Sequence, residues 1–269
     1  MAKKLIPLPS VSRVSPSSVA FVEVPIGVTY ENFNFVMSGT GLAASMVDNV
    51  KLIANGQELQ TFLNLQQLID LNAFHGRATD TAADWCLHFK NDDYLQLDEK
   101  LMQGLGTLGL QTLVIEISLN ATWPANGTIT AYANIDTKSE PLGAFNRIRQ
   151  TVLNASAAGD IEFDKLIRGG AIYNQIHFFK ADITKVVLEA DSVKVVDATK
   201  GVLERQQKNV RPFARVPQTA KATHLDFIQN GFYGDAFRTD GMNDLRVRLT
   251  VGSAGAIQIV TEQLDVFRV

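Results

Sequence analysis

The chain has 269 residues, of which 46% are hydrophobic and 20% are charged, so it is long and apolar enough to bury a substantial core. Its net charge of −3 argues against binding to nucleic acid through a global positive field, and its single cysteine, Cys86, excludes an internal disulfide and a zinc site built on thiolates. We expect no export signal and no transmembrane span, because prolines or polar residues interrupt every long apolar stretch.

Residues 1–19 have a distinct composition, with three prolines, five serines, three basic residues and no acidic residue. Proline withholds a backbone donor and serine has little apolar surface to bury, so we predict an extended arm without regular secondary structure. Such an arm is either a frayed terminus or a clasp on its own or a neighbouring subunit. If it is a clasp, the candidates for the contact are Lys3, Lys4 and Arg13.

Short apolar runs with alternating polarity follow the arm, and this period of two predicts β-strands. The clearest runs lie at residues 21–24, 33–37, 47–53, 113–119, 129–132, 245–251 and 257–260. Apolar spacing typical of helices is confined to three segments, at residues 62–73, 141–154 and 202–207. The sequence therefore predicts an all-β fold of antiparallel strands, with short helices inserted in the loops.

The chain also contains a weak internal duplication. At an offset of 143 residues, six positions have an identical counterpart: Gly27/Gly170, Tyr30/Tyr173, Phe35/Phe178, Asp48/Asp191, Val50/Val193 and Lys51/Lys194. The offset then falls steadily through three further pairs: His88/His224, Leu113/Leu245 and Ile129/Ile257. We therefore predict two tandem barrels of like topology, at residues 20–136 and 160–269, joined by a connector at residues 137–159 whose helix covers residues 141–154.

The residue patterns that carry catalysis are missing or lie in the wrong context. Gly104–Gly109 matches the dinucleotide-binding pattern GxGxxG, but a strand rather than a helix follows it, so a hairpin loop is the better interpretation. The four histidines never occur as His-x-His or His-Glu-x-x-His, the spacings that present two ligands to a metal. We interpret Cys86 and His88 as a buried thiol and a hydrogen-bonded histidine, and we predict a protein that is not an enzyme and requires no cofactor.

Two segments carry opposite charge. Residues 80–99 contain six acidic residues and one basic residue, whereas residues 200–221 contain six basic residues and one acidic residue. Each segment is either a solvated loop or part of a contact between subunits, and the candidates for such a contact are Asp92, Asp93, Arg211 and Arg215. Asp92 and Asp93 are also weak candidates for calcium, which prefers several oxygen ligands, although no calcium-loop motif is present.

These features together resemble a known family. Two tandem β-domains, a helix inserted in the first of them, a proline- and serine-rich arm and the lack of catalytic motifs are typical of double jelly-roll viral capsid proteins. Over its full length, from Met1-Ala-Lys-Lys-Leu-Ile-Pro-Leu-Pro to Leu264-Asp265-Val266-Phe267-Arg268-Val269, the chain resembles the major capsid proteins of corticoviruses, which are marine bacteriophages that contain a membrane. No short diagnostic motif carries this resemblance.

The resemblance implies two eight-stranded jelly rolls per chain, a homotrimeric capsomer of pseudo-hexagonal outline, and an icosahedral virion with an internal membrane. It also implies synthesis in the host cytoplasm, contacts with neighbouring capsomers and with vertex and membrane-associated proteins, no specific nucleic-acid binding, and a dependence on calcium.

Two further considerations come from physical reasoning. In a ring of three such chains, the first barrel of one chain meets the second barrel of the next, so the acidic and basic segments can face each other.

The alternative function is that of a carbohydrate-binding or glycosidase-type double β-sandwich protein. Such a protein would use exposed aromatic side chains or a pair of carboxylates in a groove.

Overall fold

The structure is a computed structural model that describes residues 4–77, 80–136, 138–209 and 214–267. The chain divides into two compact units. Unit 1 comprises Met1–Ala73, Arg77–Ile148 and Asp265–Val269, whereas unit 2 comprises Phe74–Gly76 and Arg149–Leu264.

Unit 1 is built on two sheets of four main strands. In chain order its strands are β1 (Lys4–Pro7), β2 (Val19–Glu23), β3 (Thr29–Ser38), β4 (Val47–Ala54), β5 (Gln57–Phe62), β6 (Asp84–His88), β7 (Leu105–Gly106), β8 (Leu113–Leu119) and β9 (Thr128–Asp136). One sheet has the order β1-β9-β3-β6, with the short strand β7 also paired to β3, and the other has the order β5-β4-β8-β2. Helices α1 (Leu65–Phe74) and α2 (Leu97–Met102) lie in the connections.

Unit 2 repeats this plan, although its first strand begins and its last strand ends within unit 1. In chain order its strands are β10 (Ala144–Ala155), β11 (Gly159–Phe163), β12 (Ile172–Phe179), β13 (Ile183–Ala190), β14 (Val193–Thr199), β15 (Ala222–Asp226), β16 (Phe237–Arg238), β17 (Leu245–Val251) and β18 (Gly255–Val266). The strand orders are β10-β18-β12-β15, with β16 also paired to β12, and β14-β13-β17-β11. Helix α3 (Lys200–Asn209) follows β14.

The two units have the same topology when β1 is matched with β10 and β9 with β18. Each places eight main strands in two four-stranded sheets, which is the jelly-roll arrangement, so the prediction of two jelly rolls is confirmed. Tyr30 in β3 and Tyr173 in β12 are both fully buried, and their hydroxyls donate to the carbonyls of Pro25 at 2.5 Å and Ile167 at 2.9 Å. Burial raises the pKa of each phenol to about 12.

The predicted register of the duplication is right in part. Four predicted pairs are equivalent: Tyr30/Tyr173 and Phe35/Phe178 on β3 and β12, Leu113/Leu245 on β8 and β17, and Ile129/Ile257 on β9 and β18. His88 and His224 also lie on equivalent strands, β6 and β15, but two residues out of register, because the counterpart of His224 is Cys86. However, Val50 lies in β4 and Val193 in β14, and these strands are not equivalent, because the counterpart of β4 is β13. The cause is loop length, since β3 and β4 are separated by residues 39–46 but β12 and β13 only by residues 180–182.

Alternating side chains build the two cores. In β8 the four residues Leu113, Ile115, Ile117 and Leu119 are buried while the residues between them are partly exposed, and β17 repeats this pattern. Each buried side chain of this size stabilises the fold by about 1.5–3 kcal/mol. The period of two that predicted these strands is therefore the pattern of burial in the folded protein.

Two of the three predicted helices are confirmed. Helix α1 covers most of residues 62–73, and Asn64 caps it, because its Oδ1 accepts the backbone N–H of Gln67 at 2.8 Å. The Gln67 side chain in turn accepts the backbone N–H of Leu63 at 3.0 Å, so two otherwise unpaired donors are satisfied. Helix α3 contains the predicted segment 202–207.

The predicted connector helix at residues 141–154 is wrong, because strand β10 occupies most of this segment. Phe145 and Ile148 are buried but Val152 is 49% exposed, so the three side chains do not form the continuous apolar stripe of a packed helix. Since β10 is the first strand of the second jelly roll, the connection between the two barrels is much shorter than predicted.

The N-terminal arm is also more regular than predicted. Strand β1 pairs antiparallel with β9 from Lys4↔Ile135 to Pro7↔Tyr132, and the Leu8 N–H then donates to the Ala131 carbonyl at 2.8 Å. The expectation of an arm without regular secondary structure is therefore wrong for residues 4–7. The arm packs on its own unit because the edge of β9 has backbone N–H and C=O groups that need partners. The backbone of β1 supplies these partners whatever its side chains are.

The glycine-rich segment Gly104–Gly109 forms a loop around the short strand β7, and no helix follows it, as predicted. Gly106 lies so close to the backbone of Pro141 that an added Cβ would meet the Pro141 carbonyl oxygen at 2.4 Å. A close approach of two backbones, rather than a bound phosphate, thus explains this glycine.

Replacing Leu8 by alanine tests the packing of the arm. Leu8 is 8% exposed, so we expect the free energy of unfolding to fall by about 2 kcal/mol. The matched change Leu5→Ala removes a side chain that is 63% exposed and should alter stability by less than about 0.5 kcal/mol. Urea unfolding followed by tryptophan fluorescence measures both variants, and equal effects would contradict the docked arm.

Candidate functional site

The basic residues of the arm differ in their surroundings. Lys4 begins β1 and is exposed. Arg13 is also exposed, and its guanidinium lies over the ring of Phe21, 5.5 Å from the ring centroid. Lys3 lies outside the described residues. Lys4 and Arg13 therefore have the exposure that a contact with another subunit requires, and their role in such a contact stays a prediction.

Asp92 and Asp93 do not fit calcium. The Asp92 carboxylate lies 2.9 Å from the Lys90 ammonium and is 57% exposed, whereas Asp93 is only 4% exposed. One carboxylate is thus paired with a base and the other is buried, so the two do not present a joint set of oxygen ligands. In the part of the chain that the structure describes, no group of three or more His, Cys, Asp or Glu could hold a metal ion. Burial also removes Asp93 from the candidates for a subunit contact.

Arg215 has a partner inside unit 2. Its Nε donates to Asp226 at 2.6 Å, and both side chains are almost completely buried. Its guanidinium also lies 5.9 Å from the ring centroid of Phe74. The expectation that Arg215 contacts another subunit is therefore wrong, because its charge is neutralised within its own unit. Arg211 lies outside the described residues.

Exposed charges of both signs nevertheless remain in the two segments. On α3, Arg205 and Lys208 are exposed and lie one helical turn apart. In the acidic segment Asp84, Asp92 and Asp98 are exposed. The charge contrast seen in the sequence thus survives at the surface of each unit, although different basic residues carry it.

Both tryptophans, which a carbohydrate-binding protein would expose, are buried. Trp85 is 0% exposed and stacks on Phe35 with 4.2 Å between ring centroids, and Trp123 is 2% exposed. A groove of about 410 Å³ in unit 1 contains one carboxylate, Glu23, rather than a pair. Neither feature favours the glycosidase or carbohydrate-binding alternative.

Unit 2 contains a group of titratable side chains that the sequence analysis did not connect, here called the histidine–glutamate cluster. It consists of His75 after α1, His177 in β12, His224 in β15 and Glu262 in β18, all between 0% and 9% exposed. The Nε2 atoms of His75 and His177 lie 2.8 Å and 3.1 Å from Glu262 Oε1. The Nδ1 atoms of His177 and His224 are 2.7 Å apart.

One aromatic ring packs against all three imidazoles. Phe74 stacks on His224 at a centroid distance of 4.2 Å and meets His177 and His75 edge-on at 5.2 Å and 5.4 Å. The ring excludes water from the imidazole faces, so the polar atoms of the cluster must satisfy one another.

Burial sets the protonation of the cluster at neutral pH. It lowers the pKa of His177 against the opposing influence of Glu262, and it lowers the pKa of His224 well below its usual range, with a further contribution from His177. Burial alone would raise the pKa of Glu262, but His75 and His177 outweigh it and hold that pKa well below its usual range. His177 and His224 are therefore neutral and Glu262 is ionised.

The cluster was missed because its members come from four separate segments. The only local signal is the run of polar residues 261–263 in β18, all buried although the strand is otherwise apolar on its inner face. By contrast, the structure places Cys86 where the sequence suggested. It is a buried thiol, and burial raises its pKa to about 12.

Two jelly rolls in one chain, with both tryptophans buried and opposite charges at the surface, define a double jelly-roll protein of the kind that forms viral capsids. The chain belongs to the viral coat protein P2 family: the family model of the N-terminal domain matches residues 5–136 and that of the C-terminal domain matches residues 145–267. It is thus a structural coat protein rather than an enzyme, as the sequence analysis predicted. Among the described residues, no helix is long and apolar enough to cross a membrane.

Individual relatives support this assignment. The chain is 25% identical to the major capsid protein P2 of Pseudoalteromonas phage PM2, over 97% of this chain and 96% of that protein. The crystal structure of P2 from bacteriophage PM2 matches with a TM-score of 0.90 at 23% identity, over 99% of this chain and 98% of P2. The major capsid protein of Sulfolobus turreted icosahedral virus matches with a TM-score of 0.70 at 10% identity, over 98% and 97% of the two chains. The resemblance to corticovirus capsid proteins is confirmed.

Removing one partner of the buried ion pair tests the role of Arg215. Arg215→Ala leaves the Asp226 carboxylate buried without its cation, so we expect the free energy of unfolding to fall by about 3–5 kcal/mol. The matched change Asp92→Asn removes a carboxylate that is 57% exposed from its ion pair with Lys90 and should have little effect. Chemical denaturation measures both variants. A similarly small effect of both changes would contradict a structural role for Arg215.

Proposed function

We propose that the chain assembles as a homotrimer that forms the pseudo-hexagonal capsomer of an icosahedral shell. The observation that carries this proposal is the shared topology of the two units. Three chains with two like units each place six similar bodies around a threefold axis. One gene product can then fill a near-hexagonal lattice through repeated contacts of the same kind.

We further propose that the shell surrounds an internal membrane and that the capsomers contact vertex and membrane-associated proteins of the virion. The chain would be made in the cytoplasm of the host and then join the virion. Support comes from the family, whose model describes a viral coat protein, and from the likeness to the major capsid protein of phage PM2. Asp92 and Asp93 give no support for calcium at this segment.

The contact between subunits is proposed to be electrostatically complementary. Arg205 and Lys208 on α3 would face the acidic segment of the next subunit, where Asp92 and Asp98 are exposed. Exposed ion pairs each contribute about 0–1 kcal/mol, so their main effect is on the association rate and the orientation of the subunits. Both effects weaken as salt screens the charges.

The mass of the purified protein in solution tests the capsomer. Native mass spectrometry and light scattering at near-neutral pH are expected to give three times the chain mass of 29.5 kDa. A trimer with an interface of the size typical of stable complexes should stay intact on dilution. A protein that stays monomeric at high concentration would contradict the proposal.

Charge reversal tests the complementary contact. Arg205→Glu with Lys208→Glu should slow trimer formation at least about tenfold in low salt, with little effect in high salt. Adding Asp92→Lys and Asp98→Lys in the same chain should restore part of the rate. Stopped-flow light scattering after dilution from a dissociating denaturant measures the rate, and no recovery in the fourfold variant would contradict the pairing.

A further inference from the structure

The hydrogen bonds of the histidine–glutamate cluster assign every proton on His177 and His224. The backbone N–H of Gln218 donates to His224 Nε2 at 3.2 Å, so this nitrogen carries no proton. His224 must then donate from Nδ1 to Nδ1 of His177, which leaves the His177 proton on Nε2, where it is donated to Glu262. Each imidazole is neutral, accepts one hydrogen bond and donates the next, so all donors in the series point toward Glu262.

The series of hydrogen bonds from Gln218 through His224 and His177 to Glu262 leaves no free acceptor on either imidazole for another proton. A proton added to His224 Nε2 would oppose the N–H of Gln218, and one added to His177 Nδ1 would oppose the N–H of His224. Either addition sets two donors against each other in a dry environment, where an unsatisfied donor is costly. Protonation therefore requires at least one of these hydrogen bonds to break.

The charged groups around the cluster leave this conclusion unchanged. They come from the elements that pack on it: Lys200 and Glu204 on α3, Arg215 in the segment before β15, Asp226 on β15, and His75 after α1. Asp226 is paired with Arg215, and the Lys200 ammonium donates to the carbonyls of Ala181 and Thr219. Glu262 is the carboxylate in direct contact with the imidazoles, and it already accepts from both His75 and His177.

The segment 214–219 is the part that depends on the cluster. It is held by the bond from Gln218 to His224, by the Val216 N–H that donates to Phe74 at 2.9 Å, and by Arg215. Within it Val216 and Thr219 are exposed, whereas Arg215 and Pro217 are buried. The Gln207 side chain also ties α3 to the His224 carbonyl at 2.7 Å.

We propose that the histidine–glutamate cluster is an acid-sensitive latch, which holds residues 214–219 against β15 at neutral pH and releases them when the cluster takes up protons. The release is a property of the single chain. Release should also weaken the subunit contact through α3 in acid. This consequence rests on the proposed function, and it is measured separately.

Unit 1 provides an internal comparison. By strand register, the positions of His177, His224 and Glu262 correspond there to Asn34, Cys86 and Asn134. Two amides and a thiol whose pKa is raised to about 12 do not change charge between pH 8 and pH 5. The two barrels share a topology, but only unit 2 has titrating side chains at these positions.

The direction of the pH effect follows from linkage. His177 and His224 are neutral in the closed form, and each regains an ordinary pKa of about 6.5 when it reaches water. The open form therefore binds up to two more protons below pH 6.5. The opening equilibrium should rise by as much as about 100-fold per pH unit in that range, until the lowered pKa values of the closed form are reached. Glu262 adds to this effect only in stronger acid.

Hydrogen–deuterium exchange on the full chain tests the latch. Peptides that cover residues 214–226 should lose protection at least about tenfold more than peptides of β8 between pH 7.5 and pH 5.5, after correction for intrinsic exchange. Uniform loss across both units, or no loss, would overturn the proposal. Trimer mass measured at the same pH values reports the consequence for assembly, so failure of the contact is distinguishable from failure of the latch.

Two variants and a control sharpen this test. His224→Gln keeps an acceptor for the Gln218 N–H but does not titrate, so it should reduce the pH dependence to about tenfold per pH unit. The triple change His177→Asn, His224→Cys and Glu262→Asn installs the unit 1 residues and should abolish it. His88→Gln in unit 1 is the control and should retain the wild-type pH dependence. An unaltered slope in both cluster variants would refute the latch.

A measurement on the unaltered protein completes the test if the variants fold poorly. Nitrogen-15 chemical shifts distinguish the two neutral tautomers of histidine. At pH 7.5 one imidazole should carry its proton on Nδ1, as assigned to His224, and another on Nε2, as assigned to His177. A charged imidazolium at both positions would contradict the latch directly.

Discussion

Each barrel depends on the pairing of its first strand with its last. In unit 1, β1 covers the edge of β9 through four residue pairs, and in unit 2 the strand β10 takes the same place beside β18. Without this pairing, the N–H and C=O groups along a largely buried strand would face no partner, which costs free energy at every residue. The requirement explains why neither the arm nor the connector is free to be irregular, and why the second barrel begins at Ala144.

The same constraint decides what could be predicted from the sequence. Alternation identified β8 and β17 because one face of each is buried and the other is not. It failed for β1, in which no residue is buried, and for β10, whose buried Phe145 and Ile148 have a spacing that also fits a helix, so composition and spacing suggested an arm and a helix there. The register of the duplication failed at β4 for a related reason. Loop lengths between strands carry no hydrophobic pattern, so nothing marked the shorter connection before β13.

The candidate site could be predicted only in outline. Charge counting found the acidic and basic segments, but it treats every charge as exposed, and it therefore placed Arg215 at the surface. In the structure Arg215 and Asp226 neutralise each other inside unit 2. The histidine–glutamate cluster lay beyond sequence reasoning, because His75 and Glu262 are brought together only by the complete strand order of the barrel. Spacing along a strand or helix, on which motif searches rely, has no bearing on such a group.

Comparison of the two barrels shows how one fold can carry different polar groups at equivalent positions. The ladder hydrogen bonds and the apolar face of each strand fix the topology, and both are kept in the two units. Polar positions on the inner strands are then free to differ, provided that every buried donor finds an acceptor. In unit 1 the amide of Asn32 accepts from Asn34 and Asn134, which gives a neutral network. In unit 2 imidazoles and a carboxylate satisfy the same rule with groups that titrate. At these equivalent positions only the second network contains groups that gain protons in mild acid, so the proposed sensitivity to pH resides in unit 2.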